Sequence, residues 1–219
     1  LEKVDCGAPN GTSITAYTGN VNIIASGYMG KSFTGGENFT TQRQYEGKNT
    51  LILEQYNYYN WKEDTKATYD ATQLENDKII DVLYYQGYNW NKHLNFTLKV
   101  NDEESPIIAN YSDTKGFGTY NYPSGVVVFN ITQQFKAGQT NQITPTQLEN
   151  NSNILYGGIL IIIYANNTQN TNIIINEGAD LLNPESSGFG ANSSNTIAYA
   201  NYENIEAGNA TLYTISAAA

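Results

Sequence analysis

Apolar residues in this chain recur at every second position far more often than at helical spacing. In Leu94-Asn95-Phe96-Thr97-Leu98-Lys99-Val100 apolar and polar side chains alternate, as a strand with one buried face requires. The same reading predicts strands at Ile23–Ala25, Thr50–Tyr59, Asp81–Tyr85, Val126–Ile131, Asn172–Asn176, Ile197–Tyr202 and Ala210–Ile215. One segment departs from alternation: Gly158–Tyr164 contains the unbroken run Ile159-Leu160-Ile161-Ile162-Ile163. A continuous run of this kind is a central strand buried on both faces. The polar residues 166–170 then read as a turn, so this strand and Ile173-Ile174-Ile175 are expected to form a hairpin.

Helical signals are few. Thr146-Gln147-Leu148-Glu149 carries a weak capping signature, and 132–137 before Gly138 has room for one turn. Many strands joined by Gly-, Asn- and Ser-rich turns predict an all-β fold, a two-sheet sandwich of jelly-roll-like form with long loops. The chain has 219 residues, a size that two-sheet β domains reach with a single core. The expected domain spans 3–216, with Leu1-Glu2 and Ala217-Ala218-Ala219 read as restriction-site remnants. Cys6 is the only cysteine, so no intrachain disulfide forms and the core alone must hold the fold.

The net charge of −10, with 11 basic residues scattered singly, offers no stripe to neutralise a phosphate backbone, and nucleic acid is not an expected partner. No apolar run is long enough for a membrane helix, so no membrane insertion by this domain is expected. Charged residues make up only 15% of the chain, and Asn, Thr, Ser, Gly and Tyr supply the polar surface instead. That balance suits an exported protein.

Catalytic signatures are lacking in the sequence. There is one histidine, His93, without a nucleophile-elbow serine, and one cysteine, which excludes an ordinary zinc site. Asn176, Glu177 and Asp180 follow a strand and precede a loop, which makes their oxygens a candidate calcium site with loop hydrogen bonding as the alternative. The stronger lead is aromatic. Eighteen tyrosines and two tryptophans, many beside Asn or Gly, place flat faces next to amides, the chemistry of sugar and protein-surface recognition. Strand parity assigns about half of them to packing. Tyr88, Trp90, Tyr120, Tyr122 and Trp61 are the expected ligand-binding residues. Asn-x-Ser/Thr triplets are numerous, and Asn150, Asn166 and Asn192, in turn-like stretches, are the expected glycosylation acceptors.

Three segments carry a family resemblance. They are Val126-Val127-Val128-Phe129-Asn130-Ile131-Thr132, Tyr156-Gly157-Gly158 with the strand that follows it to Tyr164, and Ile175-Asn176-Glu177-Gly178-Ala179-Asp180-Leu181-Leu182. This succession resembles a domain of adhesin-like cell-surface proteins of methanogenic archaea, in which a "DVT" strand is followed by a "GG" turn, a hydrophobic strand and an "EG-D-L" segment. Asn130 stands where that pattern has Asp. The resemblance implies extracellular display on a large modular surface protein and attachment to glycans or proteins of other cells, with no catalytic residues to carry over. A non-enzymatic adhesion module is thus the expected function. The alternatives are a passive spacer of the cell envelope and a polysaccharide-degrading enzyme.

Overall fold

The computed structural model describes residues 11–21, 38–60, 66–89, 94, 96–114, 121–148, 153–179, 199–200 and 208–218. Fourteen strands account for most of them: β1 Gly11–Val21, β2 Asn38–Gly47, β3 Thr50–Asn60, β4 Ala67–Asp70, β5 Ile79–Asn89, β6 Phe96–Val100, β7 Glu103–Glu104, β8 Ile107–Asp113, β9 Ser124–Asn130, β10 Thr140–Gln147, β11 Ile154–Tyr164, β12 Thr171–Glu177, β13 Tyr199–Ala200 and β14 Gly208–Ala218. The helical content among the described residues is one 3-10 turn at Asn76–Lys78.

The fold is an all-β sandwich with jelly-roll connectivity. A five-stranded sheet, β3-β11-β5-β9-β8, lies against a four-stranded sheet, β4-β10-β6-β7. The chain alternates between the two from β3 to β6 and again from β9 to β11, and its pairings are nested: β3 with β11, β4 with β10, β5 with β9, β6 with β7, all antiparallel. A long hairpin wrapped around a core produces this order. Nesting continues outward, because β2 pairs with β12 and β1 with β14. The ribbon reverses at Asn101-Asp102, whose positive φ values of 53° and 69° are those of the two-residue turn that matches strand twist. Asn101 is fixed there, donating to Asn141 Oδ1 at 2.8 Å and to the Gln134 carbonyl at 2.9 Å.

Both faces of the five-stranded sheet are covered. Tyr84, Val127, Phe129, Leu160 and Ile162 meet Phe96, Leu98, Val100 and Ile143 of the four-stranded sheet. On the opposite face Leu83, Val128, Ile159, Ile161 and Ile163 meet Tyr45, Ile173 and Ile175 of a third layer, β12-β2-β13. This is why β11 tolerates no polar side chain on either parity: all eleven of its residues are buried. At the start of that strand Gly157, at φ 62°, forms a bulge that shifts the register against β3. A Cβ on the next residue, Gly158, would overlap the Tyr84 hydroxyl.

Two expectations are corrected. β11 and β12 do not form a hairpin: β11 pairs with β3 and β5, and β12 turns back over the sheet to pair with β2. Thr146-Gln147 ends strand β10 rather than capping a helix, since its backbone is paired to Phe96 and Thr97. The one turn expected within 132–137 is present, closed by Phe135 N–H donating to the Ile131 carbonyl at 2.9 Å. The expected strand at Ile23–Ala25 lies outside the described residues. Ala217 and Ala218, read as remnants, are paired with Thr12 and Gly11, while Leu1, Glu2 and Ala219 lie outside the described residues.

Candidate functional site

Strand register brings several chain ends to one end of the sandwich. Asn60, Asn89, Ser124 and Ile154 or Leu155 are neighbours across the five-stranded sheet, with Asp113 beside Ser124. Gln147 and Phe96 are paired in the other sheet, and the Phe96 ring lies 6.2 Å from Tyr88 at this same end. Segments 61–65, 90–93, 115–120 and 149–152 join these strand ends and lie outside the described residues, and with them Trp61, Trp90, Tyr120 and Asn150. Tyr122, just before β9, is 37% exposed and follows the exposed Asn121.

Tyr88 is a correction. It belongs to β5 rather than a loop and is only 2% exposed, so its ring packs in the core and cannot meet a ligand. Its hydroxyl donates to Asn110 Oδ1 at 3.0 Å. Around it the end of the sheet is tied by other tyrosines. Tyr156 donates to the Tyr88 carbonyl at 3.0 Å, the Tyr58 and Tyr84 hydroxyls meet at 2.8 Å, and Tyr58 also donates to Gln86. The buried Gln86 donates in turn to the carbonyls of Gly87 and Gly157, at 2.8 and 2.9 Å. These hydroxyls satisfy each other inside a low-dielectric core, so burial pushes Tyr58 and Tyr84 well above the ordinary phenol range.

Glu177 is also placed differently from the calcium expectation. It is 5% exposed, at the end of β12, with its side chain under the third layer. One carboxylate oxygen accepts from Arg43 and from the Tyr85 hydroxyl at 2.5 Å, the other from Tyr111 at 2.9 Å. Both oxygens are thus taken by donors, one of them cationic. Asn176 is its neighbour in a strand, so the two side chains point to opposite faces and do not converge on one ion. Asp180 lies outside the described residues. Burial first, then the Glu177 carboxylate, pushes the Tyr111 phenol up to about 12 and Tyr85 further.

A second carboxylate clasp was not foreseen. Asp81 of β5 accepts from Tyr45 at 2.5 Å, from Thr132 at 2.8 Å and from Asn130 at 3.1 Å. Burial and this bond raise Tyr45 well above the phenol range. The sequence signal is Asn130 itself. An Asp at that position would set two carboxylates together, whereas the amide donates, and its own Oδ1 accepts from the Thr132 backbone at 3.0 Å. The Asn130-Ile131-Thr132 triplet is therefore structural. Asn166 is exposed in the β11–β12 turn, which Asn167 fastens by donating to the Asn49 carbonyl at 3.2 Å; Asn192 lies outside the described residues.

These features define a jelly-roll β-sandwich with an added third sheet and one end at which several strands terminate together. Residues 27–219 match the model of a family described as a protein of unknown function, DUF3344, and the chain belongs to that family. No curated protein and no solved structure matches the chain.

Proposed function

We propose that this domain is a non-enzymatic, extracellular adhesion module of a large surface protein, of the kind found in adhesin-like proteins of methanogenic archaea. It binds glycans or proteins on other cells through the aromatic residues of its loop-bearing end. The observation that carries this reading is the gathering of strand ends: the segments holding Trp61, Trp90 and Tyr120 attach at the same end as the exposed Tyr122. Recognition residues on loops held by a rigid scaffold are a recurrent arrangement. A jelly roll by itself implies no activity, since the fold hosts many. Asn166, exposed in its turn, is the acceptor proposed for glycosylation.

One observation favours the alternative of a passive envelope spacer. Tyr84, Tyr85, Tyr88 and Tyr156 are buried, so much of the tyrosine content serves packing. Binding of the purified domain to a glycan array and to intact cells separates the two readings. For an adhesion module, saturable binding falls at least ~30-fold in a Trp61→Ala, Trp90→Ala variant, the loss typical of anchoring aromatic residues. Absence of binding to every surface favours the spacer.

A further inference from the structure

Asn-x-Ser/Thr triplets recur along the chain, and at three of them, Asn110, Asn130 and Asn166, the asparagine side chain is among the described residues. The fold treats the three differently. Asn130 is partly buried at the end of β9, its Nδ2 donating to Asp81 and its Oδ1 accepting from the Thr132 backbone. A sugar on that nitrogen would part the Asp81 clasp. Asn166 is exposed in the β11–β12 turn. Asn110, on β8, is exposed as well, and so is Ser112, the third residue of its triplet.

A buried tyrosine sets the direction of the Asn110 amide. Directly opposite residues of antiparallel strands share a face, so Tyr88, Gly125 and Ser112 form one row across β5, β9 and β8. The glycine puts no side chain in the middle of the row, and the Tyr88 hydroxyl reaches β8, where it donates to Asn110 Oδ1 at 3.0 Å and also hydrogen-bonds Ser112. Oδ1 is therefore turned toward the buried ring and Nδ2 away from it. Tyr111, between the two, faces the other side of the sheet and donates to Glu177. Nδ2 is the atom that carries an N-linked sugar, and the carbonyl oxygen is left unchanged, so the Tyr88 bond survives the modification.

We propose that Asn110 is an N-glycosylation site, with a lipid-linked oligosaccharide as the sugar donor. The Asn110 Nδ2 forms a bond to C1 of the first sugar as the bond from C1 to the phosphate oxygen of the carrier breaks. The lipid phosphate leaves with that electron pair, and one Nδ2 proton passes to a base of the transferase. The glycan stands on the jelly-roll side of β8, three residues or about 10 Å along the strand from Asp113, at the end where strands terminate together. The proposal rests on the extracellular part of the reading above. It does not depend on adhesion.

Secretion of the domain through a eukaryotic host supplies both export and the oligosaccharide. Protein that is folded by far-UV circular dichroism is then denatured and treated with peptide-N-glycosidase in water enriched in heavy oxygen. Each glycosylated asparagine becomes a labelled aspartate, located by mass spectrometry of the peptides. The expected label falls on residues 110 and 166 and not on 130. Asn110→Gln and, separately, Ser112→Ala should each lower the intact mass by one glycan. The second variant keeps Asn110 and its Tyr88 bond, so the test stands even where the first does not fold. Folded protein without label at residue 110 overturns the proposal, and so does label at 130, where the clasp leaves no room for a sugar. Because the host imposes export, an unlabelled Asn110 counts against this site alone; whether the native protein is exported is read separately, by surface labelling of intact cells.

Discussion

The two faces of the five-stranded sheet are held to their covering layers by different means. On the jelly-roll side the contact is aromatic and closed, with Phe96 and Phe129 rings 6.3 Å apart and Tyr84, Leu98, Ile143 and Leu160 fully buried. On the other side aliphatic residues of the sheet meet only a narrow sheet, and two carboxylates fasten its rim. Glu177 reaches from β12 into the central sheet, and Asp81 reaches from the central sheet to Tyr45 of β2. Apolar contact is non-directional and tolerates sliding. A carboxylate with three donors tolerates one register. The comparison suggests that burial holds the sandwich, while polar geometry positions the third layer.

Substitutions can separate those contributions. Gly158→Val should have the largest effect, because the added side chain displaces Tyr84 in the jelly-roll core; a cost above about 4 kcal/mol or failure to fold is expected in urea denaturation. Leu160→Ala, on the same face, should cost about 3 to 5 kcal/mol by leaving a cavity. Glu177→Ala should cost less, about 2 to 3 kcal/mol, since Arg43 is partly solvated and only Tyr85 and Tyr111 lose a buried partner. Its signature is spatial: hydrogen exchange should accelerate in β2 and β12 while β5 and β9 remain protected. Equal acceleration in both regions would mean that the third layer and the sandwich open as one unit. Tyr45→Phe should be milder, near 1 kcal/mol, with the same localisation.

Alkaline titration gives the smallest and most local test. Tyr111 is neutral when protonated and its folded pKa, about 12, exceeds that of an unfolded tyrosine. Its contribution is therefore complete below pH 10 and is lost as pH rises from 10 through 12. Glu177→Gln removes the carboxylate charge and should bring the Tyr111 transition, followed by tyrosinate absorbance against a Tyr111→Phe control, back toward 10.

The β class and the central strand were legible in the sequence because Ile159 to Ile163 leaves no polar face. Strands β3, β5, β6, β9 and β12 were legible from alternation or apolar runs. β2 and β10 were not, since Asn38–Gly47 and Thr140–Gln147 are rich in Asn, Gln and Thr and lack an apolar run, and neither was β4, whose four residues Ala67–Asp70 are too short to show a pattern. Partner choice was equally hidden. A short turn after β11 suggests a hairpin locally, but the partners of β11 lie about seventy and a hundred residues earlier in the chain. Tyr88 was misplaced because a Tyr-Asn-rich stretch resembles a loop, whereas residues 82 to 88 are buried at every position of a doubly covered strand. Glu177 was singled out as a calcium ligand; its actual partners, Arg43, Tyr85 and Tyr111, come from three distant strands that a local reading does not connect.

The nested ribbon also determines how the domain responds to tension. Gly11 lies opposite Ala218, and Val21 opposite Gly208, so a pull applied across the outer pair meets its hydrogen bonds one after another rather than all together. Peeling then reaches β2 and β12, and next β3 and β11, each pair loaded only after the one outside it has parted. Under load the domain should yield at low force by progressive unzipping, with the doubly covered β11 as the first strong stop.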